Sequence, residues 1–197
     1  MKIRVAAGIL SALLCAQAWA TEKQILWGDT HLHTNLSFDA FTNQNFSVGP
    51  DRAYRFARGL PVEHPGHKAR VQIGTPLDFL VISDHAEYLG SVRQLYEAGL
   101  PTQGMSIWQK LRLWYGQYLI RDAISKGEGR NFFVSQLPDP YDTPQEAIEA
   151  FDAATSVFPQ IPSVEYKAWH ETADAAAANN VPGTFSAILG WEYSLIP

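Results

Sequence analysis

Three short apolar runs punctuate the chain, each bounded by turn residues and each ending in side chains able to bind a metal. The first runs from Gln24 to Trp27 and continues through Gly28 and Asp29 to His31, Leu32 and His33. The second runs from Leu77 to Ile82, follows Thr75 and Pro76, and leads into Ser83, Asp84 and His85. The third, from Thr184 to Leu189, follows the turn Val181-Pro182-Gly183 and leads into Gly190, Trp191 and Glu192. Near-continuous apolar character predicts strands buried on both faces, the habit of parallel sheets.

Between these runs the period changes to that of a helix. Ser106 to Lys126 carries Ile107, Leu111, Trp114, Tyr115, Tyr118, Leu119 and Ala123 at three- and four-residue spacing, and Gly127 stops it. That stripe predicts core packing, with an aromatic substrate wall as the other reading. Thr143-Pro144-Gln145-Glu146 is a capping box with proline at the first helical position, which starts a helix running to about Val157. A further helix is expected from near Ser163 to Asn179, ending at Asn180 before Pro182. Strands alternating with helices predict an α/β fold with parallel strands. No internal repeat, low-complexity tract or flexible linker interrupts it.

Composition narrows the function classes. The 197 residues suit one domain, and 46% apolar with 18% charged is ordinary for a globular protein. Fifteen basic against 20 acidic side chains, with no Lys/Arg cluster, supply no patch for nucleic acid. Cys15 is the only cysteine, so no disulfide framework exists and metal ligands must be His, Asp or Glu. The first twenty residues read as a secretory signal peptide: Lys2 and Arg4, an apolar stretch from Val5 to Ala16, then Ala18-Trp19-Ala20 before Thr21. The apolar stretch falls short of the roughly 20 residues that span a bilayer, so no transmembrane anchor is expected. Residues 21–197 then form an exported, cysteine-free chain, periplasmic or extracellular.

Alternation along a strand puts Asp29, His31 and His33 on one face, where two imidazoles can meet one ion. His85 and Glu192 end the other two strands, so three strands each deliver a ligand type at the carboxyl end, where α/β folds place their sites. Asp84 points to the opposite face from His85 and is expected to orient an imidazole or a loop, as is Asp29. His64 and His67, in a turn-rich segment, read as surface residues, and His170 as a structural residue within its helix.

These residues resemble the PHP (polymerase and histidinol phosphatase) superfamily, and within it an exported bacterial branch of unassigned function. The resemblance rests on Gly28 to Thr34, Ser37 to Ala40, Pro76 to Phe79, Ser83 to Gly90 and Gly190 to Tyr193. It implies a distorted parallel (β/α) barrel holding up to three ions, commonly Zn, Mn or Fe, of which one or two would be supported here. His31 and His33 match the first-motif ligands, Asp39 the acidic ligand that follows, His85 the ligand of the Asp-His motif, and Glu192 the glutamate that bridges two ions. The superfamily's later ligands have no counterpart, and three strands are too few for a closed barrel. The expectation is therefore a partial barrel, the N-terminal portion of a domain whose C-terminal half is missing. The implied activity is hydrolysis of phosphoesters, or of a related ester such as a sulfate ester, by hydroxide made available when a bound cation lowers the pKa of water from 15.7 toward about 7. The alternative is a truncated, noncatalytic domain that binds metal without turnover. A third reading is a ligand-binding module built on the region from Trp108 to Tyr118.

Overall fold

Strand formation is strongest where the chain is most apolar, at Phe79-Leu80-Val81-Ile82. The computed structural model describes residues 23–135, 142–146 and 161–193. Within them, strand β1 (Gly28–Leu32), the centre strand β4 (Phe79–Ile82) and β5 (Ser186–Leu189) form a parallel sheet in the order β1-β4-β5. A second sheet is a small antiparallel hairpin of β2 (Val62–Glu63) and β3 (Arg70–Val71). Six helices are described: α1 (Phe38–Thr42), α2 (Pro50–Ala57), α3 (Ser91–Glu97), α4 (Ile107–Ser125), α5 (Gly129–Val134) and α6 (Pro162–Asn179). The fold is mixed α/β, and the described strands do not close into a barrel. No helix among the described residues is long and apolar enough to cross a membrane.

The three parallel strands fall inside the three predicted runs but are shorter. Residues 24–27 are not strand, and Glu192 and His85 lie beyond the strand ends, joined by an isolated parallel bridge. Only β4 is substantially buried, with Leu80 and Ile82 at 0% exposure. Burial on both faces of every strand is thus corrected. As the edges of a three-stranded sheet, β1 and β5 are largely exposed, Ile188 and Leu189 included.

One face of the sheet carries the main core. Ala53, Tyr54 and Ala57 of α2 and Ala175 and Ala176 of α6 pack with Leu80, Ile82 and Phe185. Alanines let the two helices approach closely, and burial of these apolar surfaces drives the docking. Tyr54, fully buried, donates its hydroxyl proton to the Ile188 carbonyl at 2.9 Å, and burial pushes its pKa up to about 12. Asn179 closes the same seam, donating to Asp51 and accepting from Arg58. A second cluster joins Phe41 of α1, Val92 and Leu95 of α3, and Ile120 and Ile124 of α4.

Helix α4 begins and ends as predicted. Ser106 caps it with a reciprocal Gln109 box, and Gly127 follows in the left-handed conformation that glycine adopts without a Cβ penalty. Its facing differs from the prediction. Ile120, Ala123 and Ile124 are buried, whereas Ile107, Leu111, Trp114, Tyr115 and Tyr118 are exposed. The apolar stripe is therefore mostly not core; α4 has apolar residues on two sides, and only the side toward α1 and α3 is packed. At the capping box of residues 143–146, Glu146 N–H donates to the Thr143 hydroxyl. The predicted helix beyond it, like the predicted signal peptide, lies outside the described residues.

Candidate metal centre

Parallel strands bring their carboxyl ends to one edge of the sheet, and the cluster forms there. His31 is on β1, with His33 just past it; His85 follows β4, and Glu192 follows β5. Register slips by one residue on β1 between Asp29 and Leu32. Past β4 and β5, pairing resumes at His85 and Glu192, where Ala86 N–H donates to the Glu192 carbonyl and Glu192 N–H to the Asp84 carbonyl. The intervening Gly190 is obligatory by space, since a Cβ there would lie 2.5 Å from Val81 Cγ1.

His31 Nε2 and His33 Nε2 each lie 2.8 Å from the same oxygen, Glu192 Oε2. His31, His33 and Glu192 form one group with metal-binding potential, and His33, Asp39 and His85 form another, each with its ligand atoms within 4.8 Å of one another. All five sequence-predicted ligands are thus gathered, with His33 common to both groups. His64 and His67 stack on each other away from the cluster, with His67 exposed and His64 half-buried; His170 is exposed, its ring centroid 4.3 Å from that of Tyr166.

The two groups share one imidazole whose nitrogens are differently engaged. His33 Nδ1 is 3.0 and 3.1 Å from the two Asp39 oxygens. His33 Nε2 is buried and faces Glu192 Oε2 at 2.8 Å. A buried ring nitrogen facing a carboxylate that a second imidazole also faces fits a divalent cation. Ligand atoms 2.0–2.2 Å from a tetrahedral zinc sit roughly 3.3 Å apart, so loading requires this group to open by about half an ångström.

Charge is distributed accordingly. The hydrogen bond with Asp39 raises the His33 pKa against the opposing effect of burial. For Asp39 burial pushes upward, but hydrogen bonds from His33 and Ser37 outweigh it and hold the carboxyl well below the usual range. Glu192 is likewise lowered: burial opposes the shift, and the His31 hydrogen bond with the neighbouring imidazoles outweighs it. Burial raises Asp84 to about 6, against the two hydrogen bonds from Thr34. The Asp84 carboxylate is hydrogen-bonded to Thr34 and so ties down the loop that carries His33. Asp29 accepts the backbone N–H of His31 at 2.9 Å.

Three residues of the site carry no role in the sequence reading. Ser37 is fully buried among His33, Asp39 and the His85 backbone. Thr34 supplies both donors to Asp84, and Phe38 stacks on the His85 ring, centroids 4.5 Å apart, and on the Phe133 ring, centroids 4.4 Å apart. In sequence Ser37, two positions before Asp39 and next to a helix start, signals only an N-cap.

No curated protein and no solved structure is significantly similar to this chain. Residues 20–197 match the model of a family described as a protein of unknown function (DUF3604). That span holds the parallel sheet and every ligand candidate, and the chain belongs to the DUF3604 family.

Proposed function

We propose that this protein is a metal-dependent hydrolase of phosphoesters or related esters, sulfate esters among them, with a PHP-like site on a partial (β/α) barrel. The observation that carries the reading is the meeting of His31 Nε2 and His33 Nε2 at one Glu192 oxygen, at the carboxyl ends of parallel strands. When bound, a divalent cation such as Zn, Mn or Fe supplies Lewis acidity and a water acidic enough to lose its proton near neutral pH.

The residues of the chain do the rest. His31, His33 and Glu192 would hold the ion, and Asp39 keeps the His33 ring turned toward it through Nδ1. His85, 13% exposed and stacked on Phe38, extends the cluster toward Asp39, 4.0 Å from its Nε2. The His31 side chain is 67% exposed, so the group opens to solvent on the side where an ester can enter. Asp39 and Glu192 make the cluster acidic, and an anionic ester binds there only after cation loading.

Export to the periplasm or beyond belongs to the same proposal, on the charged, apolar and small-residue pattern of residues 1–20. The test is turnover of p-nitrophenyl phosphate, bis(p-nitrophenyl) phosphate and p-nitrophenyl sulfate after loading with Zn, Mn or Fe(II). Turnover abolished by a chelator and by Glu192→Gln is expected. Metal uptake with no turnover of any of the three would favour a metal-binding domain without catalysis.

A further inference from the structure

We propose that Ser37 is a positioning residue that holds Asp39 in place against His33 Nδ1 and locks the His33–Asp39 pair to the His85 segment. The inference rests on the metal reading above. It begins with a hydroxyl's inventory: one proton to donate and two lone pairs to accept.

The single proton is committed. Ser37 Oγ lies 2.5 Å from Asp39 Oδ1, and a carboxylate can only accept. The lone pairs remain, and one accepts the backbone N–H of His85 at 3.2 Å. His33 Nδ1, at 3.4 Å from Ser37 Oγ, faces the other side of the same oxygen and both oxygens of Asp39. Every group around Nδ1 is thus an acceptor. Nδ1 therefore carries a proton, which leaves Nε2, facing Glu192 Oε2 at 2.8 Å, as the nitrogen available to an ion placed between His31, His33 and Glu192. If the hydroxyl proton were turned toward His33, it would ask Nδ1 for a lone pair and favour the opposite tautomer.

Position explains why one hydroxyl can do this. Ser37 immediately precedes α1, but its side chain caps no helix N–H. Its exposure is 0%, so no water competes for the bonds. It joins the loop after β1 to the segment after β4 across 48 positions of sequence, tying together the group of His33, Asp39 and His85. Removing the hydroxyl would leave the His85 N–H without this acceptor and Asp39 without one of its donors.

The test reads the proton and the metal, not catalysis. In zinc-loaded, nitrogen-15-labelled protein, imidazole NMR is expected to place the proton on His33 Nδ1. Competition against a chromophoric chelator should show zinc affinity lowered about 10- to 100-fold in Ser37→Ala. The absorption spectrum of the cobalt(II)-loaded variant should change, and Ser37→Thr, which keeps the hydroxyl, should recover most of the affinity. A proton on His33 Nε2 overturns the inference. So does Ser37→Ala that binds zinc as tightly as the wild type with an unchanged cobalt spectrum, a result that leaves the metal reading intact. Wild-type protein that takes up no zinc overturns both. Should Ser37→Ala fail to fold, Ser37→Cys, which keeps a side chain of similar shape but only a weak donor, is read by the same zinc competition and cobalt spectrum.

Discussion

Asp84 grips Thr34 twice: its carboxylate accepts both the backbone N–H and the hydroxyl of Thr34, across 50 positions of sequence. The pair is buried, with Asp84 3% and Thr34 0% exposed. It sets the path of the chain between β1 and α1, on which His33 and Ser37 ride and which leads into Asp39 at the start of α1. Structure at the end of one strand is thus fixed by a carboxylate at the end of its neighbour.

Asp84→Asn tests this coupling. An amide has one acceptor oxygen and presents donors where Thr34 also donates, so at least one bond is lost with a buried partner left unsatisfied. A loss of about 1–3 kcal/mol in denaturant-unfolding free energy is expected, together with weaker zinc binding. Unchanged stability and unchanged affinity would show that the loop holds its shape without the pair.

Acidity should act in opposite directions on the metal-free and metal-loaded protein. The raised pKa of His33 contributes stability that is present below pH 6.5 and lost as pH rises through the folded value. Asp84, raised to about 6 from 3.8, likewise takes stability away as pH rises from 3.8 through about 6. The lowered carboxyls of Asp39 and Glu192 contribute stability that disappears only as pH falls below their ordinary range. Metal-free protein is therefore expected to have a higher Tm at pH 5.5 than at pH 7.5. Zinc binding requires neutral imidazole, so the zinc-induced rise in Tm should shrink as pH falls from 7.5 to 5.5. Calorimetry at the two pH values, with and without zinc, checks both signs.

Helix α4 separates apolar sequence from actual core. Ile120→Ala, at a site of 0% exposure, is expected to destabilise by about 2–5 kcal/mol. Trp114→Ala, at 65% exposure, is expected to stay within about 0.5 kcal/mol of the wild type. Equal, large losses in the two variants, measured by urea unfolding, would restore the whole stripe to the core.

How much of this was legible in the sequence follows from range. The three parallel strands, α4 and α6 were readable because alternation, capping residues and stop glycines are local, and the ligand types at the strand ends were readable for the same reason. The facing of α4 was not, since its apolar residues occupy two sides and periodicity alone cannot choose between them. Helix α2 and the β2–β3 hairpin went unread because Tyr54, Ala53 and Ala57 gain their meaning only against Leu80 and Phe185. Ser37 and Thr34 read locally as cap and loop residues. Their partners His85 and Asp84 lie about fifty residues away, a relation that a single sequence does not display.

The most direct test of the central claim is zinc stoichiometry and affinity of the metal-stripped protein at pH 7.5, measured by chelator competition on the wild type, His31→Ala, His33→Ala and Glu192→Gln. The predicted result is one tightly held ion per chain. Each variant should weaken it, while His31→Ala, at an exposed site, leaves the fold's stability within about 0.5 kcal/mol. No zinc uptake by the wild type, or uptake indifferent to all three substitutions, would contradict the metal centre described here.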